Sequence, residues 1–235
     1  MDDRTRKAGK ISSILHDFCS EELANYTCLD LGCSRGTISA QLVRDFKIVI
    51  GIDPDSQALK FGQISKPRPL EPPYYISGNG NALPFNGGQF EVIICAQVYE
   101  HVANAEKMVA EINRVLKPGG FCFFSGPNRL EIMEEHYWLP FLSWLPHSIA
   151  SAYMQIMKRG KVYDIYPLTY WQLRHLWEGF EVYDYTLRII REPSRFSVDD
   201  RIEKYRLIKF IPDWMITFLR PFYPNYNWVV VKKNE

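Results

Sequence analysis

The sequence predicts a doubly wound α/β fold, with a mostly parallel sheet of seven strands, helices on both faces and a helical insertion after the fifth strand. Two observations indicate it. Short apolar runs alternate with segments of helical periodicity, which is typical of strand–helix–strand units. A chain of 235 residues with 46% hydrophobic content is also large enough for a full core. We therefore expect residues 1–235 to form a single domain.

The first five strands and their helices follow one another in order. A helix from about residue 5 to residue 23 has apolar residues at helical spacing and is interpreted as a scaffold covering one sheet face. The strands are short apolar runs, and turns such as KPGG separate them from the helices. The predicted strands are residues 27–31, 47–52, 74–77, 90–97 and 121–125.

The pattern changes after Pro127. Residues 128–167, which we call the lid, are rich in aromatic residues and prolines. They are too interrupted for a membrane span and too apolar for a solvated loop. The elements predicted beyond the lid are a helix at 168–177, strands at 180–186 and 228–231, and a helix near 214–219 within an insertion at 188–227.

Charge and hydropathy exclude several partners. The 28 Lys and Arg residues nearly balance the 27 Asp and Glu residues, so we expect no nucleic-acid partner. No apolar run is long enough for a transmembrane segment, and none follows the charged start as in a signal peptide, so a cytoplasmic location is expected. The five cysteines are scattered, without the close pairs of metal or disulfide frameworks.

The loop LDLGCSRG at 29–36 lies between the first strand and the next helix, where parallel sheets bind nucleotide-like ligands. Gly32 allows close backbone approach, Gly36 allows tight packing into the helix, and Asp30 places a carboxylate at the strand end. Asp53 closes the second strand, where a carboxylate can accept from ribose hydroxyls. The alternative is that Asp53 caps the following helix, although Asp55 is the better capping residue.

Four segments together resemble the class I S-adenosylmethionine-dependent methyltransferases, in the type 11 group that includes quinone-biosynthesis enzymes. The resemblance implies a Rossmann-like fold and S-adenosylmethionine as the cofactor. A dinucleotide dehydrogenase is disfavoured, because the glycine spacing is not GxGxxG. The segments are LDLGCSRG at 29–36, GIDPD at 51–55, GNGNALPF at 78–85, and FEVIICAQVYEHV at 90–102 followed by LKPGG at 116–120.

By this resemblance the cofactor lies across the ends of the first, second and fourth strands. Asp30 and Gly32 would face its methionine part, Asp53 its ribose, and Asn79 with Gly80 the polar edge of its adenine. Ser34 and Asn79 depart from the family, which usually has glycine and aspartate there. The predicted cofactor-binding residues are Asp30, Leu31, Gly32, Cys33, Ser34, Gly36, Asp53, Pro54, Asn79, Gly80, Asn81 and Gln97.

Histidines supply the candidate catalytic groups. His101, after the fourth strand, and His136, in the lid, are the candidates for a general base. The alternative is that His101 is satisfied by local hydrogen bonds. Some relatives bind magnesium near this turn through glutamates and histidine, but Gln97 replaces the first glutamate, so we expect no metal.

The expected reaction is O-methylation of a small-molecule acceptor that is a sugar, lipid-linked or quinone-like. N- or C-methylation is the alternative, and a cofactor-binding protein without turnover is a different class. An RNA methyltransferase is disfavoured, because the chain has no basic surplus and no NPPY-like tetrapeptide. Aromatic residues of the lid would line an acceptor pocket, contact a membrane surface or form an extra core; they are Tyr137, Trp138, Phe141 and Trp144, with Tyr163 and Tyr166 closing the same pocket.

Overall fold

The computed structural model describes residues 3–19, 23–64, 72–198 and 211–233. Within them, seven strands form one sheet in the order β3-β2-β1-β4-β5-β7-β6. Every pairing is parallel except those of β7, which runs antiparallel to β5 and β6. This confirms the predicted mostly parallel sheet. The strands are β1 (Thr27–Leu31), β2 (Ile48–Asp53), β3 (Tyr74–Ser77), β4 (Phe90–Ala96), β5 (Leu116–Pro127), β6 (Phe180–Asp184) and β7 (Asn225–Lys232).

Helices cover both faces of the sheet, as predicted. One core packs α4 and α6 against the sheet through residues such as Ile112 and Leu173. The core on the other face contains Ile11 and Ile14 of α1 together with Leu42 of α2. The helices are α1 (Asp3–Phe18), α2 (Thr37–Leu42), α3 (Ser56–Ile64), α4 (Ala105–Val115), α5 (His147–Ile156), α6 (Tyr170–Leu176), α7 (Thr186–Arg191) and α8 (Asp213–Phe218).

The order of the strands determines where a ligand can bind. β1 lies between β2 and β4. On one side of β1 the sheet continues outward through β2 and β3, and on the other side through β4 and β5. Such a reversal separates the loops that follow the two central strands and opens a crevice at their carboxyl ends. β1 and β4 are apolar almost throughout because helices cover both of their faces. The polar residues at their carboxyl ends therefore stand out.

Several strand limits differ from the prediction; β7, for example, begins at Asn225 rather than at residue 228. β5 already begins at Leu116, which pairs with Phe90, so the KPGG segment belongs to an irregular start of the strand rather than to a separate turn. β6 ends at Asp184, because the carboxylate of Asp184 accepts a hydrogen bond from the Thr186 amide at 2.9 Å and α7 begins there. Such side-chain acceptors are typical of helix starts.

The lid has a small core of its own, separate from the two cores of the sheet. It contains α5 and a single helical turn, Leu142–Trp144. The core residues are Leu139, Leu142, Ala150, Met154, Tyr163 and Ile165.

The predicted insertion at 188–227 contains most of α7 and all of α8, which matches the helix expected near 214–219. Its residues 199–210 lie outside the described part of the chain. Among the described residues, we find no helix with the length and apolar character that crossing a membrane requires.

Candidate functional site

A cavity of about 940 Å³ opens at the carboxyl ends of β1, β2 and β4. This lies in the upper part of the range for small-molecule sites, roughly 300 to 1,000 Å³. Most of the predicted cofactor residues line it, and they come from four separate loops. These residues are Leu31, Gly32, Cys33, Ser34, Asp53, Pro54, Asn79, Gly80, Asn81 and Gln97.

The loop after β1 turns through left-handed backbone conformations. Gly32 has φ +71°, and its amide donates to the Ile52 carbonyl at 2.8 Å. A Cβ on Gly32 would lie 2.6 Å from a methyl group of Val98, so a side chain does not fit. Ser34 has φ 51°, a left-handed conformation in which glycine is the least strained residue. The loop keeps its turn with serine at the expense of some backbone strain.

Asp53 holds this loop in place and faces the cavity. One of its carboxylate oxygens accepts from the Ser34 amide at 2.7 Å, and the other accepts from the Asp55 amide at 2.8 Å. Asp55 performs the capping role, because its carboxylate accepts from the amides of Gln57 and Ala58 in the first turn of α3. The helix-cap alternative for Asp53 is therefore wrong.

Two predicted cofactor residues, Asp30 and Gly36, do not line the cavity. The Asp30 carboxylate is buried beneath the loop and accepts from the Ser39 hydroxyl at 2.5 Å. Burial raises its pKa to about 6. Gly36 has φ +70°, and its carbonyl accepts from the Tyr75 hydroxyl at 3.1 Å. Asp30 therefore does not border the cavity where contact with the methionine part was expected, and both residues support the turn into α2.

Asn79 and Gln97, the polar residues at the two ends of the predicted site, each stabilise the loop in which they lie. The Asn79 side-chain oxygen accepts from the Asn81 amide at 2.9 Å, a turn that an aspartate would make equally well. Gln97 follows β4 with φ 59°, and its amide donates to the Ser125 carbonyl at 2.7 Å. The Asn79 departure therefore leaves the local turn intact.

The α1 helix contributes to the cavity, which the scaffold interpretation missed. Arg4, Lys7 and Lys10 line the cavity, while Ile11 and Ile14 pack into the core. The Lys10 ammonium donates to the Asn227 side chain of β7 at 2.6 Å. The available signal was the basic residues at intervals of three along α1.

His101 lines the cavity, whereas His136 does not. The two rings meet edge to face with centroids 5.1 Å apart, so the fold joins the turn after β4 to the lid. His136 Nδ1 lies 2.8 Å from the buried Glu134 carboxylate, and His101 Nε2 lies 3.9 Å from Glu100. The contact between the two histidines could not be inferred from their separation in the sequence.

Buried acids surround this pair. Glu100 is fully buried, and within the described part of the chain neither of its carboxylate oxygens has a hydrogen-bond partner. Burial raises the pKa of Glu100 to about 7 and that of Glu131 to about 9. Burial lowers the pKa of His101, while the hydrogen bond with Glu134 raises that of His136. A cluster of buried carboxyl groups, whose negative charge would be unfavourable without a compensating cation, thus lies beside the cavity.

The lid aromatics mostly lie away from the cavity, and only Trp138 lines it. Phe141 and Trp144 contact each other with ring centroids 5.1 Å apart and are largely exposed. Tyr163 is buried in the lid core, and Tyr166 stacks on His147 at 4.3 Å. The expectation that these tyrosines close the same pocket is wrong, because the lid uses them for its own packing.

Sequence comparison identifies a methyltransferase domain at residues 29–124. The ubiquinone biosynthesis O-methyltransferase of Thiobacillus denitrificans is 33% identical over 110 residues, which are 46% of this chain and 47% of that protein. The mitochondrial ubiquinone biosynthesis O-methyltransferase of Rattus norvegicus is 27% identical over 183 residues, 75% of this chain and 46% of that protein. The chain thus matches about half the length of these relatives.

Solved structures share the fold across almost the whole chain. The putative methyltransferase in complex with the Haloferax volcanii Trm112 methyltransferase activator has a TM-score of 0.61 at 15% identity, covering 99% of this chain and 91% of that one. An S-adenosylmethionine-dependent methyltransferase from Mesorhizobium loti has a TM-score of 0.59 at 13% identity, covering 93% and 95%. Residues 29–124 thus match a methyltransferase domain, and the chain shares the fold of S-adenosylmethionine-dependent methyltransferases.

Proposed function

We propose that this protein transfers a methyl group from S-adenosylmethionine to a hydroxyl group of a small-molecule acceptor. The observation that carries the proposal is that Asp53 and His101 line the same cavity. Asp53 ends β2 and His101 follows β4, and β1 lies between these strands. The ends of β2 and β4 are two strand spacings apart, about 10 Å along the sheet edge, and His101 lies beyond the end of β4. That distance suits a ribose at one end and an acceptor at the other.

The cofactor would be held by the loops that the fold gathers around β1. Asp53 would accept from the ribose hydroxyls, Pro54 would pack beside the adenine, and Gly80 would contact its polar edge. The tight turn at Gly32 would leave room for the methionine part. Because the two oxygens of Asp53 already order the loop, cofactor binding and loop geometry are coupled.

Methyl transfer needs alignment more than acid–base power, because a sulfonium is already a good leaving group. The acceptor oxygen uses a lone pair to form the new C–O bond while the C–S bond breaks. The electron pair of the C–S bond goes to sulfur, and the hydroxyl proton is released. His101, which lines the cavity, would accept that proton, and His136 would support the His101 ring by its edge-to-face contact. Val98 and Val102 line the cavity beside His101 and would help to exclude water.

Isothermal titration tests the cofactor. We expect S-adenosylmethionine to bind and NAD not to bind, and Asp53→Ala to weaken S-adenosylmethionine at least about 100-fold, since charged hydrogen bonds contribute roughly 1.5 to 3 kcal/mol each. Asp55→Ala is the matched control. It removes the helix cap and about 1 kcal/mol of stability, but its cofactor affinity should stay within about threefold. Folded wild-type protein that binds no S-adenosylmethionine would overturn the proposal.

The names of the relatives support one acceptor class above the others. The two relatives above are named as O-methyltransferases of ubiquinone biosynthesis, which supports a quinone-like phenol, with a sugar or lipid-linked hydroxyl as further acceptors to assay. Formation of S-adenosylhomocysteine with such acceptors tests turnover, and the position of the new methyl group separates O-methylation from N- or C-methylation. A protein that binds the cofactor and never forms S-adenosylhomocysteine would be the non-catalytic alternative.

The lid supports a contact with an anionic membrane surface. Phe141, Trp144 and Ile156 expose about half or more of their surface, and the basic Lys158 and Arg159 follow α5. Apolar side chains flanked by cations suit binding at the lipid headgroups. We expect flotation with phosphatidylglycerol vesicles, lost in Trp144→Ser with Ile156→Ser and kept in Trp171→Ser on α6. Equal binding by both variants would contradict a lid contact. A cytoplasmic location stays a prediction.

A further inference from the structure

The cavity continues beyond the loops that are predicted to hold the cofactor. Its lining runs from Asp53 at the end of β2 to Asn225 and Asn227 on β7, with Ser125 of β5 between them. β1, β4 and β5 stand between β2 and β7, so the lining crosses four strand spacings, about 19 Å along the sheet edge. The predicted cofactor residues belong to the loops after β1, β2, β3 and β4. The end of the cavity at β5 and β7 therefore remains for a second molecule.

Two lysines of α1 line this end of the cavity. The Lys10 ammonium donates to the Asn227 side chain at 2.6 Å, which places that ammonium at β7. Lys7 lies one helical turn earlier on the same face of α1 and also lines the cavity. Burial raises the pKa of Glu100, and the charge of Lys7 is among the effects that oppose this rise, so Lys7 lies close enough to act on the turn after β4. That turn also carries His101, the candidate base.

Uncharged hydrogen-bonding groups complete the wall at β5 and β7. The Gln97 amide donates to the Ser125 hydroxyl at 3.4 Å, and that hydroxyl donates to the Asn225 side-chain oxygen at 3.3 Å. Amide and hydroxyl groups are donors that fit the oxygen atoms of an anion. An apolar molecule at this wall would remove water from these groups without replacing its hydrogen bonds, which is unfavourable. The wall therefore suits a polar ligand.

The cofactor does not account for the two lysines. S-adenosylmethionine carries a sulfonium and an ammonium against a single carboxylate, so its net charge is positive and further cations repel it. Burial raises the pKa of Asp30, and the charge of Arg4 opposes this rise, which places Arg4 on the side of the loop after β1. Arg4 is therefore the α1 cation available to the cofactor carboxylate. Lys7 and Lys10 remain for a different anion.

The acids near the lysines limit which anion can bind. The Asp3 carboxylate lies 3.5 Å from the Lys7 ammonium, and both side chains are more than two-fifths exposed, so this ion pair is weak. Glu135 of the lid also lines the cavity, and its charge would oppose an anion there. A phosphate group has up to two negative charges and three strong acceptor oxygens. Such a group competes with Asp3 for Lys7 better than a single carboxylate does.

We propose that the methyl acceptor carries a phosphate group, which Lys7 and Lys10 bind at the β7 end of the cavity while the acceptor hydroxyl faces His101. The inference rests on the proposed methyl transfer, because it names the substrate class of the same site. A lysine ammonium has three N–H donors, so Lys10 can contact both Asn227 and a phosphate. Among the acceptors named above, this favours the sugar and lipid-linked classes, since a quinone-like phenol carries no phosphate.

The test is isothermal titration of the full-length protein with inorganic phosphate, with and without S-adenosylhomocysteine. We expect one equivalent of phosphate, bound less tightly as the ionic strength rises. Lys7→Gln and Lys10→Gln should each weaken phosphate binding at least about tenfold, since each removes a charged hydrogen bond. Lys7→Arg keeps the charge and should stay within about threefold of wild type. Glu135→Gln should strengthen phosphate binding, because it removes the opposing charge.

Arg6→Gln is the matched control. It removes the same charge from the same helix, but Arg6 does not line the cavity, so phosphate affinity should not change. S-adenosylmethionine affinity, measured on the same variants, should stay within about threefold in Lys7→Gln. The unfolding temperature of each variant checks that it is folded. Phosphate binding by a protein that binds no S-adenosylmethionine would contradict the proposed methyl transfer and leave the phosphate site in place.

Competition experiments separate the two sources of the phosphate group. Displacement of inorganic phosphate by glucose 1-phosphate supports a soluble sugar phosphate, and displacement by short-chain phosphatidic acid supports a lipid-linked acceptor. Failure of both compounds to displace it would overturn the assignment to an acceptor. The phosphate site itself would be overturned by folded protein that binds no phosphate, by equal losses in Arg6→Gln and Lys7→Gln, or by acetate that competes as well as phosphate. Lysine variants that lose S-adenosylmethionine but keep phosphate would assign the lysines to the cofactor.

Discussion

The loops around the cavity at the carboxyl ends of β1, β2 and β4 and the lid are built in opposite ways. At the cavity, the geometry arises within short segments, such as the left-handed turn at Gly32 and the carboxylate of Asp53 that accepts from Ser34. At the lid, side chains that are far apart in the sequence come into contact, such as those of His101 and His136. A site formed within short segments is visible in the sequence as a motif. A site formed by contacts between distant segments is visible only as individual residues of suitable type.

The difference also concerns packing. The cofactor loops extend from β1, β2 and β4, whose side chains belong to the two cores of the sheet. The lid depends on a small core of its own that includes Leu142 and Met154. A small core stabilises less, because it buries less apolar surface. The lid should therefore respond to mutation separately from the cofactor site.

The largest expected effect is that of Gly32→Ala. The new Cβ would lie 2.6 Å from Val98, in addition to the cost of φ +71°. We expect a loss of S-adenosylmethionine affinity of more than about 100-fold, or about 3 kcal/mol, by isothermal titration. Gly88→Ala is the control, because Gly88 has φ +64° with no atom near its Cβ position. It should cost about 1 kcal/mol of stability without changing affinity; a similar loss of affinity in both variants would refute the steric explanation.

Next in size is Leu142→Ala in the lid core. Leu142 is fully buried there, and such truncations cost about 3 kcal/mol. Hydrogen exchange at the amides of Met154 and Tyr163 should accelerate about 100-fold, while S-adenosylmethionine affinity stays within about twofold. The matched change Leu29→Ala in β1 should instead lower the stability of the whole sheet. If Leu142→Ala unfolds the protein globally, the lid is not a separate unit.

A smaller effect concerns pH. Burial raises the pKa of Asp30 from 3.8 to about 6, so the folded state holds this proton more tightly than the unfolded state. The contribution is therefore fully present below pH 3.8 and is lost as pH rises through about 6. The contribution of Asp30 to the free energy of unfolding changes by at most about 3 kcal/mol over this pH range. Asp30→Asn should remove it, so the free energy of unfolding relative to wild type should increase between pH 4 and pH 7. A pH-independent difference would show that Asp30 is not buried as an acid.

Much of the lining of the cavity could be predicted because its signals are local. Gly32 and Asp53 lie at strand ends that the apolar runs already mark, and both line the cavity. Asp30 misled the prediction, because a residue at a strand end can point beneath the loop instead of into the crevice. The basic residues of α1 were missed for a similar reason: the apolar stripe predicts the buried face of a helix but not which ligand site its polar face borders.

The sequence by itself determined the sheet, its mostly parallel order and the cofactor class, because hydrophobic periodicity and turn residues act over a few positions of the chain. Only the tertiary structure decided that Glu100, His101 and His136 converge and that Asp30 is hidden. It also decided that most lid aromatics pack on each other or face solvent. Those outcomes depend on how separate elements dock, and docking is a balance of burial and geometry over the whole molecule that no single segment encodes.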